Sequence, residues 1–494
     1  MYYVSTRDAS LRYTAAQAIV QGLSREGGLF LPSEIPQLCR EDLTELTRCS
    51  YPERAAHIMG LYLDDFSQKE LLGFAEKAYG PAKFDTPAAA PVVKTEDGAY
   101  VMELWHGPTC AFKDMALQML PYLLTASLRK TGEQKTVCIL VATSGDTGKA
   151  ALEGFRDVEH TKILVFYPDG GVSDIQKLQM VTQEGSNVGV CAVRGNFDDA
   201  QTGVKTLFSD VSLREELAAR GYFLSSANSI NWGRVLPQIV YYVSAYCDLV
   251  TAEQITMGEK VDVCVPTGNF GNILAAYYAR CMGVPIRRLV CASNANNVLT
   301  DFLTTGTYDR NRPFYQTASP SMDILISSNL ERLLYLLSGS DEAVRGYMAQ
   351  LAETGRYTVS EEIKNAIQSV FACGFCDDAG TEAMIGEEYK RSGYLLDTHT
   401  AVAYRVAEQF CRADGSGTPM IVASTASPFK FCASVLDALG CREHRNGTAI
   451  IGQLAEASGR PAPAPLAGLA GKQVRFGEVV DKGAMRAVVT EFLQ

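Results

Sequence analysis

Histidine is scarce in this chain, with five residues in 494 positions: His57, His106, His160, His399 and His444. They form no HExxH or comparable ligand cluster, so a metal centre is not expected. Long apolar runs are missing as well. Stretches such as 137-VCILVA-142 and 163-ILVFY-167 fall far short of the ~20 residues a membrane-spanning helix needs, and they read as buried strands instead. No run of five or six like charges occurs, and 45 basic against 56 acidic residues leave a net charge of −11. Without a basic stripe to neutralise phosphates, nucleic acid is not an expected partner. The opening MYYVSTRDAS lacks the basic, apolar and small-residue order of a secretory signal, so the expected location is cytoplasmic, with no membrane association.

What is present is an ordinary globular mixture, 47% apolar and 20% charged, long enough for about three structural units. Fourteen cysteines are scattered from Cys39 to Cys441 through segments that look like core, and most of them read as free buried thiols. The one close pair, 373-CGFC-376, has redox or zinc spacing but no second pair and no nearby histidine, which favours packing.

Residues 1–95 carry short helical patterns and end in the Pro- and Ala-rich 86-TPAAAPVV-93, which predicts a mainly helical N-terminal domain. Apolar runs then alternate with helical spacing: 99-AYVMELW-105, 136-TVCILVA-142, 162-KILVFYP-168, 187-NVGVCAVRG-195, 261-VDVCVP-266 and 288-RLVCAS-293. Strands buried on both faces look like this, so the expected fold is α/β with parallel sheets. Between about 300 and 395 the strand signal gives way to helical spacing, as in 328-SNLERLLYLLSG-339 and 359-VSEEIKNAIQSVFACG-374. A helical insertion is expected there, and 419-PMIVAST-425 returns to the sheet.

Ligands of open parallel sheets sit beyond the carboxyl ends of the strands. The loop 106-HGPTCAFKD-114 leads into a helix pattern that Pro121 should split, with Lys113 in its first turn. The positive end of a helix dipole would lower the pKa of that ammonium, as imine chemistry requires. On the loop alone, a solvent-facing Lys113 beside Asp114 is the commoner outcome. The loop 143-TSGDTG-148 offers hydroxyls and backbone N–H groups to an anion at a helix start, but it fails as a nucleotide P-loop, with Thr143 and Ala150 at the two defining ends. The loop 267-TGNFGN-272 offers a second anion site; no GxGxxG accompanies it, which favours a phosphate outside a dinucleotide, although any glycine pair can be an ordinary turn. The segments 225-SSANSINWGR-234, 397-DTHTAVA-403 and 423-ASTASPFKF-431 add polar density that could line a pocket or cap helices.

Together, HGPTCAFKD, ATSGDTGKAA, NSINWGR, PTGNFGN, SPSMDI and DTHTAVA, with 3-YVSTRD-8 and 26-EGGLFLP-32, resemble the threonine synthase family of fold type II pyridoxal-phosphate enzymes along essentially the whole chain, in its longer microbial and fungal form. The resemblance implies two open parallel-sheet α/β domains of the tryptophan-synthase-β-like fold: a large one from 96–122 and 225–494 with the insertion at about 300–395, and a small substrate-side one at 123–224. It implies pyridoxal 5′-phosphate as cofactor and no metal. Lys113 matches the lysine that forms the internal aldimine and then shuttles protons. Gly268, Asn269, Phe270, Gly271 and Asn272 match the cofactor-phosphate cup, and Thr425 the hydroxyl facing the pyridine nitrogen. Thr143, Ser144, Gly145, Asp146 and Thr147 match the loop for the substrate carboxylate.

The implied reaction is γ-elimination of phosphate from O-phospho-L-homoserine and addition of water at Cβ to give L-threonine. Lys149, Arg234 and Arg7 are candidates for the substrate phosphate, and no motif decides among them. Two rival readings stand beside it: a related phospho-lyase releasing 2-oxobutyrate, and a non-catalytic paralogue. A monomer or homodimer is expected.

Overall fold

All six apolar runs and the late 419–425 segment become strands of two parallel sheets in the computed structural model, which describes residues 1–96, 98–170 and 172–494, without the side chain of Asp198. The larger sheet orders its strands Phe371–Phe375, Ile286–Ser293, Val261–Pro266, Met420–Ser424, Tyr100–Glu103 and Val92–Lys94. Every neighbouring pair is parallel except the last. The smaller sheet runs Val479–Asp481, Val188–Arg194, Thr161–Pro168, Thr136–Ala142 and Tyr222–Ser225, parallel throughout. Val261, Val263, Cys264 and Val265 are fully buried, as helices on both faces of a parallel sheet require.

Two expectations change in detail. The boundary at 95 falls beyond Val92–Lys94, which already pairs with Tyr100–Glu103 as the antiparallel edge of the large sheet. The 300–395 stretch is not purely helical: Thr307–Asp309 pairs with Arg356–Thr358, and Phe371–Phe375 forms the other edge of the large sheet. Cys373 lies on that edge strand, its Sγ 3.4 Å from Thr304 Oγ1. Within 225–494, Val479–Asp481 pairs with Val188–Arg194, and the helix Met485–Phe492 packs Met485, Val488 and Val489 into the core of the small sheet.

The N-terminal region holds a three-stranded antiparallel sheet, Asp8–Tyr13, Tyr3–Ser5 and Phe30–Pro32, with helices including Tyr51–Gly60 and Gln68–Tyr79. It shares its core with the large sheet. The twenty-residue helix Trp232–Thr251 is buried on nearly all sides, and Trp232 meets the rings of Tyr3, Tyr62 and Tyr278 at centroid distances of 5.7, 5.7 and 5.4 Å. Aromatic burial of this kind makes the N-terminal layer continuous with the unit that carries the loops at 266–272 and 424–430.

Candidate active site

The strand Tyr100–Glu103 delivers the chain into the loop 104–113, and His106 fixes that loop at its start. Its Nδ1 lies 2.6 Å from Asp85 Oδ1, its Nε2 2.9 Å from Glu103 Oε2, and its ring stacks on Trp105. Burial works against a charge on this imidazole, but the hydrogen bonds to Glu103 and Asp85 outweigh it and raise the pKa. Further on, Asp114 is fully buried; it accepts hydrogen bonds from Thr109 N and Thr109 Oγ1, both at 2.8 Å, and burial pushes its carboxyl up to about 6.

Lys113 caps a helix of only four residues, Asp114–Leu117, and Pro121 stands at the start of a separate helix, Leu120–Thr131, as the split pattern predicts. The pKa of Lys113 is lowered, chiefly by burial, with Asp146 opposing and the cations Lys430 and Arg234 assisting. The expected direction therefore holds while the cause differs: one turn of helix has little dipole, and desolvation does the lowering. Lys113 Nζ donates to Ser321 Oγ at 2.9 Å and to Asp146 Oδ2 at 3.4 Å.

Asp146 opens the helix Asp146–Phe155 after the strand Thr136–Ala142. Its carboxylate also meets Lys430 Nζ at 2.9 Å and Gln176 Nε2 at 2.8 Å. Burial alone would raise this carboxyl; the ammonium groups of Lys430 and Lys113, with Gln176, hold it well below the usual carboxylate range. Lys430 is fully buried and donates to Thr109 O and Gln179 Oε1 as well.

One cavity of about 1240 Å³ gathers most of the sequence-derived candidates: Lys113, Thr143, Ser144, Thr147, Arg234, the whole of 268–272 and Thr425 all line it. Gly145 and Asp146 are not part of the lining, but Asp146 Oδ2 meets Lys113 Nζ. Lys149 does not line it. Its ammonium is buried against Glu153 and Gln183, which removes it as a free anion ligand. Arg7 is likewise committed, with two hydrogen bonds of 2.8 Å to Glu331. Arg234 remains: it is buried, its Nε has no hydrogen-bond partner, and burial lowers its pKa to about 10.

Fit to a phosphorylated cofactor is tested by the 267–272 loop. Phe270 holds a left-handed backbone, φ 63°, at the start of the helix Gly271–Cys281, so a helix N-terminus opens on the cavity. Asn272 is buried, its Oδ1 taking Tyr241 OH at 2.8 Å, while its Nδ2 has no partner. A Cβ on Gly268 would stand 2.6 Å from Ser321 O, so only glycine allows this close approach. An orphaned donor at a helix start, with a lysine of lowered pKa in the same cavity, fits pyridoxal 5′-phosphate. Ser321, Gln176 and Lys430 do not stand out in the sequence as site residues, although SPSMDI and SPFKF contain two of them; Asp397 and His399 belong to the polar segment 397-DTHTAVA-403.

Comparison with known proteins agrees. Models described as threonine synthase N terminus, pyridoxal-phosphate dependent enzyme, and threonine synthase C-terminal match residues 2–79, 81–362 and 400–489. Threonine synthase of Pseudomonas aeruginosa is 38% identical over 437 residues, covering 88% of this chain and 90% of its own. This chain belongs to the threonine synthase family. A solved structure of pyridoxal-phosphate-bound threonine synthase from Brucella melitensis superposes with a TM-score of 0.87 at 37% identity over the full length of both chains. Human threonine synthase-like 1 is 42% identical over 439 residues, but the chain spans only 58% of that relative's length. The family cofactor, pyridoxal 5′-phosphate, is the cofactor of this protein. Among the described residues no helix is long and apolar enough to cross a membrane.

Proposed function

We propose that the protein is a carbon–oxygen lyase that converts O-phospho-L-homoserine and water to L-threonine and phosphate. The observation that carries this reading is the convergence of Lys113, two loops suited to anions and Arg234, whose Nε has no hydrogen-bond partner, on one cavity. Bound through Lys113, the cofactor would act as an electron sink for bonds at the substrate's α-carbon. Gly268 to Asn272 would hold its phosphate, and Thr425 would face its ring nitrogen. A neutral hydroxyl there does not keep that nitrogen protonated, which suits elimination and replacement better than transamination.

The chain's own groups then divide the substrate between them. Thr143, Ser144 and Thr147, with the backbone at the helix start, receive the α-carboxylate. Arg234 receives the phosphate; a buried guanidinium with an unsatisfied N–H gains a charge-assisted hydrogen bond when an anion enters. Lys113, buried and shifted toward the neutral amine, takes protons from Cα and Cβ; phosphate leaves Cγ, protons are delivered to Cγ and then Cα, and the hydroxyl of water adds at Cβ. Asp146 holds that amine in place. We assign 92–122 and most of 225–471 to the cofactor-binding unit, and 123–224 with 472–494 to the substrate-side unit, in a cytoplasmic monomer or homodimer.

A second reading, phosphate elimination that ends in 2-oxobutyrate, is kept because relatives named threonine synthase-like 1 are among the similar proteins. Product analysis separates the two: with O-phospho-L-homoserine as sole substrate, threonine is expected in excess, and a predominance of 2-oxobutyrate overturns the first reading. Borohydride reduction and peptide mapping are expected to place a pyridoxyl group on Lys113; its absence would favour a non-catalytic role.

A further inference from the structure

Lys113 Nζ makes two polar contacts, and they differ in kind. Asp146 is an ionised carboxylate and can only accept, so it favours the ammonium form of Lys113. Ser321 Oγ, 2.9 Å from Nζ, both donates and accepts: its lone pair takes an N–H from the ammonium while its O–H turns to Asp146 Oδ2 at 3.5 Å, and after rotation that O–H can point at the lone pair of the neutral amine. A hydroxyl is thus the partner able to follow a lysine that alternates between two charge states.

Ser321 is held for that task. It sits in the short turn Pro320–Met322, whose carbonyl at 321 rests on Gly268 of the phosphate loop. Its backbone N–H donates to His399 Nε2 at 3.1 Å. Because an N–H can only donate, Nε2 carries a lone pair; the ring proton then sits on Nδ1, which donates to Asp397 Oδ1 at 3.0 Å. Asp397 in turn caps the helix Thr398–Asp414, accepting from His399 N at 2.9 Å and Thr400 N at 3.3 Å. A helix start, a carboxylate, one imidazole tautomer and a backbone amide therefore fix the position of a single hydroxyl beside Nζ.

We propose that Ser321 is a catalytic residue that keeps Lys113 aimed in both its protonation states between successive proton transfers, and that the Asp397–His399 pair is the positioning device that sets Ser321. The inference rests on the reading of Lys113 as the proton-transferring lysine. It also assigns a role to SPSMDI and DTHTAVA, two motifs the proposed function leaves unused.

The decisive variants are Ser321→Ala, Ser321→Thr and His399→Phe. Without the hydroxyl, the ammonium form loses a charge-assisted hydrogen bond that is stronger than the one the neutral amine loses, so the neutral amine is favoured. In the holoenzyme, Ser321→Ala is expected to lower kcat for phosphate release by about ten- to a hundredfold, part of the 10²–10⁴ range of general acid–base catalysis, with KM little changed. The rising limb of its kcat–pH profile should move to lower pH by up to about one unit. Ser321→Thr should restore both, and His399→Phe should shift the limb in the same direction by less.

A readout independent of turnover is competitive acetylation of the full chain without cofactor, mapped on Lys113 as a function of pH: its apparent pKa should fall in Ser321→Ala and return in Ser321→Thr. An unchanged Lys113 pKa together with an unchanged pH profile in Ser321→Ala overturns the proposal. An unmoved limb in His399→Phe overturns the positioning role of the histidine. Absence of a pyridoxyl group on Lys113 after borohydride treatment of the wild-type holoenzyme would instead overturn the reading of Lys113, and the acetylation result would still decide whether Ser321 sets its proton affinity.

Discussion

His106 lies between two carboxylates, and that placement ties the loop carrying Lys113 to pH. Its folded pKa is raised above the unfolded value of ~6.5, so the stability it contributes is fully present below that value and is lost as pH rises through the folded pKa. His106→Gln should flatten the decline of unfolding free energy on the alkaline side, measured by urea titration from pH 5.5 upward; an unchanged slope would refute the assignment. Asp146 and Lys430 present a different case. Replacing Asp146 by Asn leaves Lys430 buried without its counter-ion, which should cost about 3–5 kcal/mol, read as a fall in the urea midpoint. The double replacement Asp146→Asn with Lys430→Met should recover a large part of it. Lys113 was legible in the sequence because an ammonium at the head of an apolar helix pattern is unusual. Ser321 and Lys430 were not, since Ser321 meets Lys113 across 208 residues and Lys430 meets Gln179 across 251, and no local pattern reports such separations.

Among the elements, the helices Asp146–Phe155 and Asp114–Leu117 cross at Gly154. A Cβ there would stand 2.0 Å from Leu117 O, a backbone atom that cannot swing aside. Gly154→Ala should therefore push the Lys113 helix away from the 143–147 loop and destabilise the fold by about 1–3 kcal/mol. Weaker cofactor uptake, followed by its visible absorbance, should accompany the loss; wild-type cofactor affinity would show that the crossing does not set the site. The strands buried on both faces were readable because a continuous apolar run of five to seven residues, bounded by turn residues, is too short for a core helix and too apolar for a surface one. Phe371–Phe375 escaped because it is an edge strand, with Phe375 half exposed, and follows directly on the helix Glu361–Val370, whose period masks the change. Val479–Asp481 spans three residues and offers no period at all.

Across the whole molecule, charge is segregated. The chain carries −11, yet among the described residues the cavity is lined by Arg25, Lys113, Lys205, Arg214 and Arg234 against only Glu133 and Asp323. Arg25, Lys205 and Arg214 are exposed, so their attraction for an anionic substrate acts through water and is screened beyond a Debye length of about 8 Å at physiological ionic strength. kcat/KM for O-phospho-L-homoserine should fall several-fold as salt rises from 0.01 to 0.5 M. The double variant Lys205→Glu with Arg214→Glu should lower kcat/KM and weaken that salt dependence while leaving kcat unchanged; a retained slope would place the attraction elsewhere.

The pairing of Val479–Asp481 with Val188–Arg194 also has a consequence in time. During synthesis the first four strands of the small sheet leave the ribosome long before their fifth, and at ~5–20 residues per second the interval is on the order of tens of seconds. Throughout it the N–H and C=O groups along one side of Val188–Arg194 lack their strand partner. Nascent chains are thus open to edge-to-edge association at this one margin until residues 472–494 arrive to close it.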